Sequence, residues 1–181
     1  MPSSSSSAAY SALLLLVACL IAVPGLSRAQ GRAASKVTGT DPTALHNAYR
    51  AVHQAAPLST DPALVSAAQQ WANQLASSCT FLVGKAEGQG ENLALGYAAW
   101  ADTIFAWYNQ QGVYNYSAPG FSQQSGGFTQ MVWKGTTRLG CASAPSRCGS
   151  QTVYVCRYGP AGNVVGQFPA NVLPPGAVAG P

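Results

Sequence analysis

The side chains that could carry acid–base, nucleophilic or metal chemistry are few in this chain. Its 181 residues include only two histidines and five acidic residues. His46, Arg50 and His53 share one helical face, but the two histidines would lie roughly 10 Å apart along a helix, too far to chelate one ion together. No Gly-x-Ser-x-Gly sequence marks a nucleophilic serine. We therefore expect no enzymatic activity, and we expect His46 to hold its helix against a neighbouring element.

The cysteines indicate an oxidised, secreted protein. Of the five, Cys19 lies in residues 1–29, where an apolar run too short for a membrane span precedes a small-residue cleavage pattern, as is typical of a secretory signal peptide. The four others form an even set, which predicts two disulfides but leaves three pairings open. A zinc site is the rival interpretation, and no Cys-x-x-Cys or paired His spacing supports it. The remaining cysteines are Cys79, Cys141, Cys148 and Cys156.

The charge of the chain argues against nucleic acid as a partner. Removal of the signal peptide takes away Arg28, so that nine basic residues become eight against five acidic ones, a net charge of +3. The basic residues are scattered and form no cluster of the kind that follows a phosphate backbone. We expect a secreted extracellular protein with no nucleic-acid partner and no transmembrane anchor.

Helix and strand signals outline one α+β domain. Asp41-Pro42 and Asp61-Pro62 each place an acidic N-cap before a proline at the first helical position, which predicts two helices starting there. Apolar spacing predicts a third helix over 98–110. The alternation in 152–158 predicts a strand, with 138–142 as its antiparallel partner.

Five ordered motifs cover about residues 41 to 173. Their order and spacing resemble the CAP superfamily, the group of cysteine-rich secretory proteins, antigen 5 and pathogenesis-related class 1 proteins. The resemblance implies a three-layer α-β-α sandwich with a small antiparallel sheet between helices, and disulfides that join Cys79 to Cys148 and Cys141 to Cys156. The motifs are His46-Asn47-x-x-Arg50, Gly90-Glu-Asn-Leu93, Trp107 with Tyr114, Gly126-Gly-Phe-Thr-Gln-Met-Val-Trp133, and Val155-Cys-Arg-Tyr-Gly-Pro-Ala-Gly-Asn163.

The domain organisation follows from these boundaries. Residues 1–29 are the expected signal peptide, 30–40 a disordered leader, 41–173 the CAP domain and 174–181 a flexible tail rich in Pro, Gly and Ala.

The positions that hold zinc in some CAP proteins are degenerate here. That family site uses two histidines and two glutamates, whereas this chain has Val83, Glu91, Gln110 and Gly127 at the matching positions. Valine and glycine offer no lone pair and an amide is a poor zinc ligand, so we expect neither a cleft metal nor another cofactor. Glu91 could act as a lone general base, but we favour a structural role in which its carboxylate fixes the Gly90–Leu93 loop by hydrogen bonds.

An aromatic loop offers a different kind of site. Tyr114, Tyr116 and Phe121 are spaced like the caveolin-type motif found in this loop of sterol-binding fungal CAP proteins, and the resemblance implies a sterol or a fatty-acid-like small molecule as ligand. The rival interpretation is that Tyr114 and Phe121 fold inward to close the domain. Asn115-Tyr116-Ser117 is also an N-glycosylation sequon, and a glycan there would hinder access to the loop.

Three functional hypotheses follow. The first is a secreted, metal-free, non-enzymatic protein that binds sterols or other small lipids through the aromatic loop. The alternative is a pathogenesis-related interaction module that acts as a ligand or decoy for an extracellular protein receptor. A zinc-dependent hydrolase ranks last because its metal ligands are missing.

Overall fold

The structure is a computed structural model that describes residues 35–82, 84 and 88–176. The expected signal peptide with Cys19, the position Val83 and the end of the tail lie outside the described residues. Within the described part, no helix is both long enough and apolar enough to cross a bilayer.

The described chain folds into five α-helices and four strands, with a short 3-10 helix at Gln110–Val113. The strands form one sheet in the order β1-β3-β4-β2. The helices are α1 (Pro42–Val52), α2 (Pro62–Ser78), α3 (Trp100–Asn109), α4 (Gly126–Met131) and α5 (Phe168–Asn171), and the strands are β1 (Ser59–Thr60), β2 (Gly90–Leu95), β3 (Arg138–Pro145) and β4 (Thr152–Gly159).

Both Asp-Pro pairs start a helix, as the sequence predicts. The Asp41 carboxylate accepts a hydrogen bond of 3.0 Å from the Thr43 N–H at the start of α1. The Asp61 carboxylate accepts one of 2.9 Å from the Ala63 N–H at the start of α2. In each case a side-chain oxygen satisfies an N–H that has no partner inside the helix. The third predicted helix is α3, shorter than expected at both ends.

The late antiparallel pair, β3 with β4, is confirmed, and both strands are longer than predicted. One expectation about this region is wrong. Gly90–Leu93 is not a loop, since it lies in β2 at the sheet edge, antiparallel to β4. The three longer strands form the antiparallel sheet that the family resemblance implies, and the two-residue β1 adds a parallel edge beside β3. The sequence of β2 contains no β-branched residue, so its strand conformation depends on pairing with β4 rather than on local propensity.

Helices cover both faces of the sheet. On one face, small residues of α2 such as Ala68 and Ala72 pack against Val153 and Val155 of β4. The approach is close enough that a Cβ on Gly140 would overlap the backbone of Leu64, so β3 needs glycine there. On the other face α1, α3 and α4 pack around the larger core cluster. This is the expected three-layer α-β-α arrangement.

Arg50 ties α1 to the far end of α4. It is fully buried, and burial lowers the pKa of its guanidinium to about 10. In the described structure its donors go to carbonyl oxygens rather than to a carboxylate, which fixes the segment that follows α4. The acceptors are the carbonyls of Ala56, Met131, Trp133 and Thr136, at 2.8–3.0 Å.

His46 anchors α1 to the sheet. Its Nδ1 lies 2.7 Å from the Pro42 carbonyl, which can only accept, so Nδ1 carries the proton and Nε2 accepts from the Tyr158 hydroxyl at 2.8 Å. Burial lowers the pKa of this imidazole to about 4, because the charged form of a buried group loses its hydration. The expected anchoring role of His46 is confirmed. His53 likewise contacts the Leu173 carbonyl at 2.8 Å and the Tyr108 hydroxyl at 3.0 Å.

The disulfides are Cys79–Cys148 and Cys141–Cys156, the pairing that the family resemblance implies. The second joins residues directly opposite each other on β3 and β4.

Part of the expected leader and tail contacts the domain. Lys36 forms an ion pair with Asp102 of α3, and the Val37 N–H donates to the Tyr49 hydroxyl at 2.9 Å. The Gly176 N–H donates to the Val52 carbonyl at 2.9 Å. The packed chain therefore extends from at least Lys36 to Gly176.

Candidate binding site

Two of the degenerate metal positions are in direct contact. Gln110 Oε1 accepts from the N–H of Gly127 at 2.9 Å and from the N–H of Phe128 at 3.2 Å. Ser125, which precedes α4, supplies no side-chain cap, so Gln110 caps this helix from outside. A Cβ on Gly127 would lie only 2.8 Å from Gln110 Oε1. The glutamine thus occupies space that a larger side chain at Gly127 would need, and the two replacements fit each other.

Glu91 lies on the opposite face of the sheet, toward α2. Its Oε1 accepts from the Gly84 N–H at 2.7 Å, and its Oε2 lies 2.8 Å from Nη2 of Arg157, the residue directly across on β4. This second contact is an ion pair rather than an aligned hydrogen bond. Burial raises the pKa of the Glu91 carboxyl, while the Gly84 N–H and the Arg157 charge act in the other direction. Glu91 therefore has the structural surroundings that we favoured from the sequence.

Arg157 was missed by sequence reasoning as a residue of this site. The sequence places it in the Val155–Asn163 motif and among the scattered basic residues, whereas its side chain is almost fully buried against Glu91. The signal that could have found it is the alternation of β4, which places Arg157 on the same face as the apolar Val153 and Val155. A charged residue on a buried face needs a partner.

The Asn92 side chain lies on the face of β2 opposite to Glu91 and bonds to neighbouring elements there. Its side-chain amide donates to the Gly127 carbonyl at 3.0 Å and to the Tyr158 hydroxyl at 3.1 Å. Because successive strand residues point to opposite faces, Glu91 is directed away from the Gln110–Gly127 contact. Over residues 35–82, 84 and 88–176, no three His, Cys, Asp or Glu side chains come together as a metal site. The residues present do not fit a zinc ion.

The three loop aromatics have different surroundings. Residues 114–125 form neither helix nor strand. Tyr114 is only 8 % exposed and packs edge-on against Tyr116, with ring centroids 4.9 Å apart, and near Phe128 at 5.8 Å. Tyr116 is half-buried, whereas Phe121 is 57 % exposed. The inward folding considered in the rival interpretation thus applies to Tyr114 and not to Phe121.

The two tyrosine hydroxyls of this loop are unusual. Both are buried, and neither has a hydrogen-bond partner in the described part of the protein. Burial raises the pKa of both phenols. A buried polar group left unpaired costs about 1–3 kcal/mol. The packed loop therefore carries a free-energy cost that hydrogen-bond partners for the two hydroxyls would remove.

Asn115 lies between these tyrosines and faces solvent. Its side-chain oxygen accepts from the Ser117 N–H at 2.9 Å, which closes a tight local turn within the sequon.

A family model described as the cysteine-rich secretory protein family, CAP, matches residues 43–158. The chain belongs to the CAP family. It is 41 % identical to the human Golgi-associated plant pathogenesis-related protein 1 over 154 residues, covering 80 % of this chain and 98 % of that protein. It is 42 % identical to Protein PRY2 of Saccharomyces cerevisiae over 132 residues, covering 71 % of this chain but only 39 % of that longer protein.

A solved CAP-type structure shows the same fold. The structure described as "Crystal structure of NaASP2 with Zn2+" superposes with a TM-score of 0.58 at 24 % identity, covering 75 % of this chain and 84 % of that one. At this identity the likeness concerns the fold alone.

Proposed function

We propose that this CAP protein is a non-enzymatic binding protein that takes a sterol, or a similarly rigid small hydrophobic molecule, at the loop that contains Tyr114, Tyr116 and Phe121. The observation that supports it best is the pair of buried, unpaired tyrosine hydroxyls in the described structure, on the same loop as an exposed phenylalanine.

The loop offers both kinds of contact that a sterol needs. Apolar surface removed from water contributes about 25 cal/mol per Å², and Phe121 still has most of its ring to bury. The tyrosine hydroxyls can exchange hydrogen bonds with a ligand hydroxyl and so gain the partners they lack. Binding then requires the loop to separate from the core, and residues 114–125 have no strand or helix ladder to break.

The degenerate metal positions are poorer candidates for chemistry. Gln110 is committed to capping α4 and Glu91 is paired with Arg157. A general acid or base needs access to a substrate and a suitably placed partner, and the described surroundings of Glu91 offer neither.

We also propose that the protein is secreted and that Asn115 is glycosylated in the secretory pathway. The proposal combines the expected signal peptide, two disulfides and the exposed sequon. A glycan at Asn115 would stand beside Tyr116 and compete with a ligand for the loop. Enzymatic removal of N-glycans from protein secreted by a eukaryotic host should therefore lower its mass and raise its sterol affinity.

Direct titration of radiolabelled cholesterol against the purified protein tests the binding proposal. We expect saturable binding that weakens about tenfold in Phe121→Ala, because the truncated side chain loses about 1.4 kcal/mol of apolar contact. Val113→Ala is the matched control, since Val113 is also an exposed apolar residue and lies just before the loop.

Equal binding by the wild type and both variants would place the ligand elsewhere. Absence of saturable binding in deglycosylated wild type would refute the sterol proposal, and a single protein partner recovered from extracellular fluid would then favour the receptor hypothesis.

A further inference from the structure

A second candidate surface, part polar and part apolar, lies at the open edge of the sheet, beside β2 and the C-terminal half of α3. It is a groove of about 290 Å³. None of its lining residues belongs to the aromatic loop. Two of its aromatic walls remain uncovered, since Phe81 is 49 % and Tyr97 is 39 % exposed. The residues that line it include Phe81, Leu93, Tyr97, Ala106, Trp107 and Gln110.

Polar donors and acceptors both border this groove, and Gln110 supplies a side-chain donor. Trp107 Nε1 donates to the Leu93 carbonyl at 3.3 Å. The carbonyl of Leu93 at the sheet edge therefore already has a donor. The N–H and C=O of one residue in an antiparallel strand point to the same side, which directs the Leu93 N–H to the groove side as well. Gln110 Oε1 is bonded to the N–H groups of α4, so Nε2 is the polar atom that this side chain can still offer.

Among the described residues that line the groove, none has an acidic or basic side chain. An ionised ligand would lose hydration without gaining a counter-charge, whereas a neutral carbonyl could accept from Gln110 Nε2. We propose that this groove binds an uncharged apolar molecule with a carbonyl or ester oxygen at one end. The site is separate from the proposed sterol loop and does not depend on it.

The volume limits the size of the ligand. Pockets for small molecules typically enclose about 300–1,000 Å³, so this groove is at the lower end. A single medium-length acyl chain suits it better than a sterol.

Titration of 15N-labelled protein with methyl decanoate, followed by NMR, tests the proposal. We expect saturable shifts of the Gln110 side-chain amide and the Trp107 indole N–H, with binding about tenfold tighter than that of decanoate, which has the same chain but a charged end. No shift at either group, or decanoate binding as tightly as its ester, would overturn the assignment.

Two variants separate the groove from the fold and from the loop. Gln110→Glu keeps an oxygen to accept from Gly127 and Phe128 but loses the donor, so we expect an unchanged melting temperature and binding weakened about tenfold. Ala106→Phe should fill the groove and abolish the shifts, while Val113→Ala should leave them as in the wild type.

Phe121→Ala distinguishes the two proposals, because we expect it to weaken the sterol titration and not the methyl decanoate shifts. Full ester affinity in Gln110→Glu would refute the role of the amide.

Discussion

The degenerate metal positions and the aromatic loop are close in the sequence but differ in how their polar atoms are used. Around the metal positions, Gln110 caps α4 and Asn92 donates to the Gly127 carbonyl and the Tyr158 hydroxyl, so these side chains stabilise the fold. In the loop, two buried hydroxyls lack partners in the described structure and Phe121 is exposed. The residues which look most chemical in the sequence are thus bonded within the fold, while the loop has groups without such bonds, and on these groups the binding proposal rests.

Glu91 provides the largest test of this contrast. Glu91→Gln leaves the buried Arg157 without a counter-charge, and breaking one side of a buried ion pair costs about 3–5 kcal/mol. We expect a loss of that order in the free energy of unfolding, measured by denaturant titration. The double variant Glu91→Leu with Arg157→Leu should recover much of it. An unchanged stability in Glu91→Gln would mean that Glu91 is not structural, and the contrast would fail.

Acid should lower the free energy of unfolding through His46, which anchors α1 to the sheet. The folded pKa of His46 is lowered to about 4 from an ordinary 6.5, so the unfolded chain binds the proton more readily. The contribution of neutral His46 to the free energy of unfolding is therefore fully present above about pH 6.5 and is lost as the pH falls toward 4. The loss amounts to about 3 kcal/mol for this one residue. Guanidinium unfolding at several pH values measures the loss, and NMR of the His46 ring separates it from His53. A ring that titrates near 6.5 in the folded protein would contradict the account.

Gln110 gives a smaller effect that sharpens the comparison. Gln110→Ala removes the acceptor for two N–H groups of α4 and should cost about 1–2 kcal/mol. Gln110→Glu preserves the acceptor and should unfold like the wild type at neutral pH. If Gln110→Ala were as stable as the wild type, the capping role would be wrong, and the fold would not depend on the side chain of Gln110.

Much of the fold could be predicted from local signals. The Asp-Pro starts of α1 and α2 and the alternation of β4 are written in short stretches of sequence, and the structure has all three. The edge strand β2 and the short helix α4 were missed. β2 lacks β-branched residues and α4 begins with two glycines, so both depend on contacts with distant parts of the chain.

The site was predictable to a different degree. The family resemblance identified Val83, Gln110 and Gly127 as departures from the zinc-binding pattern, and the chain belongs to that family. The pairing of Glu91 with Arg157 required the β2–β4 register, which no local signal revealed. Whether Tyr114 faced the core or solvent depended on packing against Phe128, and spacing could not decide it.

Tyr116→Phe tests the central claim most directly, because it removes one unpaired hydroxyl and leaves the ring. If the hydroxyl serves a ligand rather than the fold, the free energy of unfolding of the ligand-free protein should stay the same or rise by up to about 1 kcal/mol, while sterol affinity falls about tenfold. A clear loss of stability with full sterol affinity would contradict the account, since the hydroxyl would then belong to the fold.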